Sequence, residues 1–260
     1  MIPKLSIIIA TYNSEKTLEK TLESLLFQTY FDFEVIIIDG LSNDSTLSIV
    51  NNFEKLFMSK NIPFIWISEK DKGIYDAWNK GLSIAKSNWI SFLGSDDIYY
   101  PDALENYIIE IDKHKNINYI CSKVEYVNEK RKVLKVLKNP YNHNQMIRYM
   151  NIAHVGSFHH KKLFETFGNF DINYKIVGDY DFFMRCSENI NAGYINKITA
   201  QMLNSGVSNA NFIKPLNEVL AIQLKYKKTS IFQIYFEYFF AIIRIFINKS
   251  KTHIAERLYR

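Results

Sequence analysis

Four short apolar runs, each closed by a polar turn and followed by a helical period, constrain this 260-residue chain more than any other feature. Leu5–Ile9, Glu34–Asp39, Phe64–Ser68 and Trp89–Leu93 are almost unbroken in hydrophobicity, as strands covered on both faces must be. Between them apolar side chains recur at three and four residues. Leu18, Leu22, Leu25 and Leu26 follow the first run, and Ile74, Ala77, Trp78, Leu82 and Ala85 follow the third. The second run leads into Gly40-Leu-Ser-Asn-Asp-Ser45, a turn rich in helix-capping residue types. This alternation predicts an α/β fold with a mostly parallel, doubly wound sheet. Right-handed crossovers then carry every strand's carboxyl end to one edge.

That edge would collect Thr11, Tyr12, Asn13, Asp39, Asp71, Asp96 and Asp97. Open α/β sheets bind ligands outside the carboxyl ends of their strands, and acids converging from separate loops are more specific than any single acidic turn. Asp96 and Asp97 follow a break at Gly94 and repel each other. A hard divalent cation bridging to phosphate oxygens would compensate them. The alternative is a pair of solvated turn acids, one capping the helix that begins near Pro101. The first strand–helix turn, Ala10-Thr-Tyr-Asn-Ser-Glu15, matches neither a dinucleotide fingerprint nor a P-loop. Phosphate held here would therefore depend on metal for much of its charge neutralisation.

The second half reads as strands over Tyr119–Val127 and Val133–Leu137, separated by the charged turn Glu129-Lys-Arg-Lys132. A short helix is expected over Gln145–Met150 and a strand over Ala153–His160. His159 and His160 would point to opposite faces of that strand and make a poor metal pair. Cys121 and Cys186 lie in hydrophobic surroundings without metal-type spacing, so buried thiols of a reducing compartment are expected. The start, Met1-Ile-Pro-Lys-Leu, lacks the apolar core of a signal peptide, which predicts a cytoplasmic protein.

Several stretches together resemble the large inverting family 2 of glycosyltransferases, of the GT-A type. They are Ser6–Asn13, Phe33–Thr46, Ser68–Gly81, Trp89–Asp97 and Val177–Arg185. The likeness spans about the first 210 residues, and Gly73–Gly81 is similar to bacterial enzymes that build O-antigen and capsule repeats on a polyprenyl carrier. It implies a GT-A domain over 1–210, with residues 1–100 holding the nucleotide sugar and 101–210 the acceptor. Its nucleotide pocket would use Thr11, Tyr12 and Asp39, with Asp39 accepting the N3–H of uracil or the N1–H of guanine; otherwise Asp39 caps the next helix. Asp71 would meet ribose or base, and Lys72 phosphate. The family's metal motif falls on Gly94-Ser-Asp96-Asp97, where many relatives carry an acid at the Gly94 position. Asp97 is then the leading ligand for Mn²⁺ or Mg²⁺, with Asp96 second or on the donor. The family's general base falls on Asp179, where relatives frequently have Glu at the Gly178 position. Asp179 and Asp181 are otherwise helix caps. His154 and Asp181 are implied on the phosphate or acceptor side, and Gln201–Ser208 resembles a segment that closes over donor. The implied reaction moves a hexose, galactose or an N-acetylhexosamine, from a UDP-sugar to a lipid-linked saccharide. The two missing acids raise the alternative of a non-catalytic sugar-nucleotide-binding or scaffold protein.

Beyond Ser208 only periodicity speaks, and it sets off 211–260 as a helical segment. Ile231–Ile247 is nearly all apolar, short of the roughly 20 residues that span a bilayer. Its polar residues Gln233, Glu237 and Arg244 fall on one narrow stripe, which Lys251 extends. Such a helix lies in a bilayer interface or docks on protein, including a second subunit in a homodimer. Basic residues flank it, so the protein is expected on the cytoplasmic face of the inner membrane. No nucleic-acid recognition motif accompanies the net charge of +5.

Overall fold

The computed structural model describes residues 2–150, 152–204 and 213–258, with side chains of the final helix through Arg244. The first half runs β1 (Leu5–Thr11), α1 (Leu18–Leu26), β2 (Phe33–Asp39), α2 (Thr46–Ser59), β3 (Phe64–Ser68), α3 (Ile74–Ile84) and β4 (Trp89–Gly94). The second runs β5 (Ile98–Tyr99), α4 (Ala103–Lys113), β6 (Tyr119–Val127), β7 (Val133–Leu137), α5 (His143–Met146), β8 (Ser157–His160), α6 (Lys161–Phe167), α7 (Gly178–Cys186) and β9 (Ala192–Leu203). Two helices follow, α8 (Ile213–Tyr226) and α9 (Ile231–Leu258).

One sheet runs in the order β3-β2-β1-β4-β8-β6-β9-β5, with β7 paired to β6. β3, β2, β1 and β4 are mutually parallel. β8 is antiparallel to both β4 and β6, so β6 points the same way as β4. Past β4 the sheet is mixed, with β6 and β9 parallel and β5 antiparallel to β9.

Both faces are covered, which explains the unbroken apolar runs. Leu5, Ile7 and Ile9 pack with Leu18, Leu22 and Leu25 of α1 and with Val50, Phe53 and Phe57 of α2. Ile8, Ile36 and Ile38 face the opposite core, with Trp78 and Leu82 of α3 and Phe182 and Phe183 of α7. α1 has no side-chain cap at its start. Its buried leucines, at about 1.5–3 kcal/mol each, hold it instead. α3 lies so close to β1 that a Cβ at Gly81 would come within 2.5 Å of the Ile8 side chain. Cys121 and Cys186 are both free and buried, as expected.

The second half departs from expectation in several places. Ala153–His160 is not one strand: His154–Gly156 forms a 3₁₀ turn, with Gly156 N–H donating to Ala153 O, before β8. The turn presses against β6, where a Cβ at Gly156 would meet Val124 at 2.3 Å. The short helix starts at His143, capped by the Asn142 side chain, and ends at Met146. Gln201–Leu203 belong to β9, while Ser205–Ser208 of the expected closing segment lie outside the described residues.

Candidate active site

Register builds the first part of the site. Thr11, Asp39 and Ser68 stand directly opposite one another at the carboxyl ends of β1, β2 and β3. Facing the same way, both hydroxyls reach the central carboxylate: Thr11 Oγ1 donates to Asp39 at 3.0 Å and Ser68 Oγ at 2.7 Å. The Ser42 amide adds a third bond at 2.9 Å and its hydroxyl a fourth. A carboxylate has about four acceptor sites, so the buried Asp39 is saturated. It pins the 40–45 turn and does not cap α2 through that helix's own first turn. Accepting a base N3–H would require Ser42 or Ser68 to release it.

Over this row lies Gly40, where a Cβ would come within 2.6 Å of Asp71 Oδ2 and 3.4 Å of the Tyr12 ring. Tyr12 is 65% exposed, leaving its ring free to take a flat partner. Asp71 shapes its own turn by accepting from Gly73 N at 2.8 Å. Gly73 sits at φ 119°, a conformation that favours glycine. Lys72 projects from this turn, exposed.

The acid pair sits one strand over. Ser14 and Ser95 hydroxyls, 2.9 Å apart, tie the β1 loop to the turn after β4. Asp97 is 7% exposed. Its main-chain oxygen accepts from Thr21 Oγ1 at 2.8 Å, and its Oδ1 accepts from Leu203 N at 2.9 Å. These are not solvated turn acids, and neither caps α4, whose N-cap position is Asp102. Burial, then the charge of Asp96, pushes the Asp97 carboxyl up to about 8. Both side chains lean over Gly94: a Cβ there would stand 2.5 Å from Asp97 Oδ2 and 2.9 Å from Asp96 Oδ1. Two oxygens sharing one small space match the chemistry of a hard cation. Among the described residues no cluster of three acids, histidines or cysteines completes such a site.

Asp179 opens α7. Its Oδ1 accepts from the Tyr180 amide at 2.9 Å and from the Tyr75 hydroxyl at 3.2 Å, and no hydrogen bond occupies Oδ2 among the described residues. Enclosure pushes its carboxyl up to about 6, against the two hydrogen bonds that hold it down. The Tyr75 hydroxyl also donates to Ile176 O at 2.8 Å, and its ring covers Gly178, where a Cβ would come within 2.8 Å of it. Tyr75 and Asp71 lie on either side of the glycine that starts α3, so one short segment touches both the Asp39 row and Asp179.

Two expected site residues are placed otherwise. Asp181 is fully buried, bonded to Arg185 at 3.1 Å, Lys225 at 3.1 Å and Tyr226 at 3.0 Å. That arrangement joins α7 to α8 and leaves no carboxylate for an acceptor. His154 packs against both Trp78, 5.0 Å away, and Phe92, 5.3 Å away, whose own rings touch at 4.9 Å. Both its nitrogens are buried without hydrogen-bond partners among the described residues. Desolvation lowers it to about 3, so the ring is neutral. Contact with substrate would require that stack to open. A depression of about 650 Å³ at the opposite edge, lined by Lys4, Trp89, Asn116 and His160, holds none of the expected site residues.

The family model for glycosyl transferase family 2 matches residues 6–182, a span containing Asp39, Asp71, Asp96, Asp97, Asp179 and Asp181. The chain belongs to glycosyl transferase family 2. A PGL/p-HBAD biosynthesis glycosyltransferase of Mycobacterium tuberculosis is 30% identical over 237 residues, covering 85% of this chain and 88% of that protein. The Escherichia coli UDP-Glc:alpha-D-GlcNAc-diphosphoundecaprenol beta-1,3-glucosyltransferase WfaP is 37% identical over 153 residues, 57% of each chain. Among solved structures, S. aureus TarS 1–349 in complex with UDP-GlcNAc superposes with a TM-score of 0.69 at 22% identity, covering 88% of this chain and 69% of that one. The chain spans 43% of the longer TarS structure. The fold is therefore GT-A, and the protein is a glycosyltransferase.

Within this family 2 frame, two residues escaped the sequence reading. Tyr75 lies in the Ser68–Gly81 stretch that carried the resemblance but was given no role there, and only its proximity to Asp179, 104 positions on, sets it apart. Arg131 sat in what read as a charged turn. Because β6 runs parallel to β4, that turn emerges at the same edge as Asp96. Arg131 Nη2 donates to Asp96 O at 2.9 Å, and Nη1 is buried without a hydrogen-bond partner among the described residues. The strand order was the signal that would have found it.

Proposed function

We propose that this family 2 glycosyltransferase moves a hexose from a UDP-sugar to a hydroxyl of a polyprenyl-diphosphate-linked saccharide, with inversion. The observation that carries this reading is the Asp179 carboxylate. It is oriented by Tyr75 and the Tyr180 amide through one oxygen, leaves the other open, and is shifted up to about 6. A base that gathers a hydroxyl proton near neutral pH needs that combination. As the acceptor oxygen attacks the anomeric carbon, the bond to the donor's diphosphate breaks with its electron pair, and the acceptor's proton passes to Asp179 Oδ2.

On the donor side, Tyr12 stacks on the base, Asp71 meets the ribose, and Asp39 takes the base N3–H when a serine hydroxyl yields. Arg131 Nη1 and Lys72 serve the diphosphate. Asp97 and Asp96 would hold Mn²⁺ or Mg²⁺, which supplies charge neutralisation for the departing nucleotide. The UDP-GlcNAc bound to TarS and the GDP-Man and Mn²⁺ bound to the mannosyltransferase of Pyrobaculum calidifontis support a nucleotide-sugar site of this type. WfaP's diphosphoundecaprenol acceptor supports the lipid-linked substrate.

The direct test incubates the protein with individual UDP-sugars, Mn²⁺ or Mg²⁺, and polyprenyl-diphosphate-linked saccharides, and reads product masses. A hexose or N-acetylhexosamine increment on the acceptor is expected. Binding of UDP-sugars without transfer to any acceptor would favour a non-catalytic protein.

Tyr75→Phe is expected to keep its ring over Gly178 and lose the bond that lowers Asp179. The acid limb of the pH–rate profile then moves to higher pH, while UDP-sugar affinity is unchanged. An unmoved limb would remove Tyr75 from the base's surroundings.

A further inference from the structure

The last helix is turned the opposite way from a helix built for water. In its first turns the polar side chains Gln233 and Glu237 face the protein. Gln233 Nε2 donates to Glu237 Oε1 at 2.9 Å, and Arg148 Nε donates to the same oxygen at 2.6 Å. Ile234 is fully buried beside them, and Tyr238 donates to Asn217 of α8 at 2.7 Å. The outward side is aromatic: Phe232, Tyr235, Phe236, Phe239 and Phe240 are exposed, from 50% at Phe240 to 80% at Phe232. Their spacing of three and four residues makes one stripe, and they pack along it, with Phe232 and Phe236 rings 6.2 Å apart and Phe236 and Phe240 rings 4.4 Å apart. A contiguous aromatic face of this kind marks an interaction surface.

Charge selects the occupant. Residues 211–260 carry nine basic and three acidic side chains, a net of +6, whereas residues 1–210 carry 23 basic and 24 acidic ones. A second copy would set one +6 segment against another. Anionic lipid would meet it with opposite charge. Among the described residues, no helix is long and apolar enough to cross a membrane, which leaves a helix lying along the surface.

We infer that the Phe232–Tyr235–Phe236–Phe239–Phe240 face inserts into the headgroup–acyl boundary of an anionic bilayer, with α9 parallel to the membrane plane. This deepens the reading of a lipid-linked acceptor by naming the surface that meets the lipid. It is also mechanically joined to Asp179. Arg148, which grips Glu237, receives Gln223 Nε2 on its carbonyl at 2.6 Å, and the adjoining Ile147 carbonyl accepts from Tyr180, the neighbour of Asp179, at 3.2 Å.

Flotation of the full chain with vesicles tests this without any sugar substrate, so its outcome stands apart from that of the transfer assay. Binding is expected to phosphatidylcholine vesicles containing phosphatidylglycerol, weaker binding to phosphatidylcholine alone, and loss of the difference at high salt. Phe236→Ser with Phe240→Ser should reduce binding by roughly tenfold or more, while melting temperature and hydrodynamic size stay as in the parent. Equal flotation of parent and variant would overturn the proposal. So would a parent that ignores vesicles and forms a dimer that the same substitutions dissociate.

Discussion

Asp179→Asn is expected to lower transfer by roughly 10²–10⁴-fold while UDP-sugar binding persists. Asparagine retains an oxygen for the Tyr75 hydroxyl and the Tyr180 amide, so α7 should open unchanged, but it cannot take a proton from the acceptor. None of the groups bonded to Asp39 touches Asp179, which is why donor affinity is spared. The same substitution should raise stability at pH 7.5. The folded carboxyl titrates near 6 instead of 3.8 because it is enclosed. The unfolded chain therefore loses that proton first, and the stability the neutral form contributes below 3.8 is lost as pH rises through 6. At neutral pH the buried charge costs at most on the order of 3 kcal/mol, less for the solvent that reaches the residue's exposed edge. Parental transfer rates in the variant would remove the base assignment. A variant melting no higher than the parent at pH 7.5, but higher relative to it than at pH 4, would still trace the shift to enclosure; no pH dependence at all would refute it. In the parent, kcat/KM should fall about tenfold per pH unit below 6.

Asp97→Asn should abolish the gain in UDP affinity that Mn²⁺ or Mg²⁺ confers. Losing an ionised ligand should cost at least the roughly 10–100-fold seen when only supporting groups around a metal are removed. Asparagine is the informative choice because its amide oxygen still accepts from Leu203 N, holding the end of β9, where alanine would release it. Calorimetric titration with UDP, with and without cation, reads the effect. A variant with the parent's cation dependence would shift the assignment to Asp96 and the diphosphate alone.

Much of the architecture was legible because the first half obeys one rule repeatedly. Buried parallel strands must be apolar throughout, and their carboxyl ends must share an edge. The placement of Thr11, Asp39 and Asp97 at that edge was read that way, and the motif order pointed to family 2. What stayed hidden depends on contacts between distant positions. The alternation that marks β1 to β4 gives no warning that β8 is antiparallel and preceded by a 3₁₀ turn. Composition around Asp181 looks the same whether its partners are substrate or Lys225 and Arg185. His154 could be placed near the site by likeness, yet only packing reveals the aromatic stack around it. The stripe on α9 was readable as a stripe, but which side faces the protein was decided by Arg148, far away in sequence.

The glycine before Asp179 has a wider consequence. Its missing side chain is not vacant volume, because the Tyr75 ring occupies the place a Cβ would claim. Positions 75 and 178 are thus interlocked and cannot drift separately. An acid placed at 178 alone would displace the tyrosine that bonds to Asp179, so a side chain at 178 requires a smaller residue at 75. The glycine at 178 is thus matched by the tyrosine ring that fills its place.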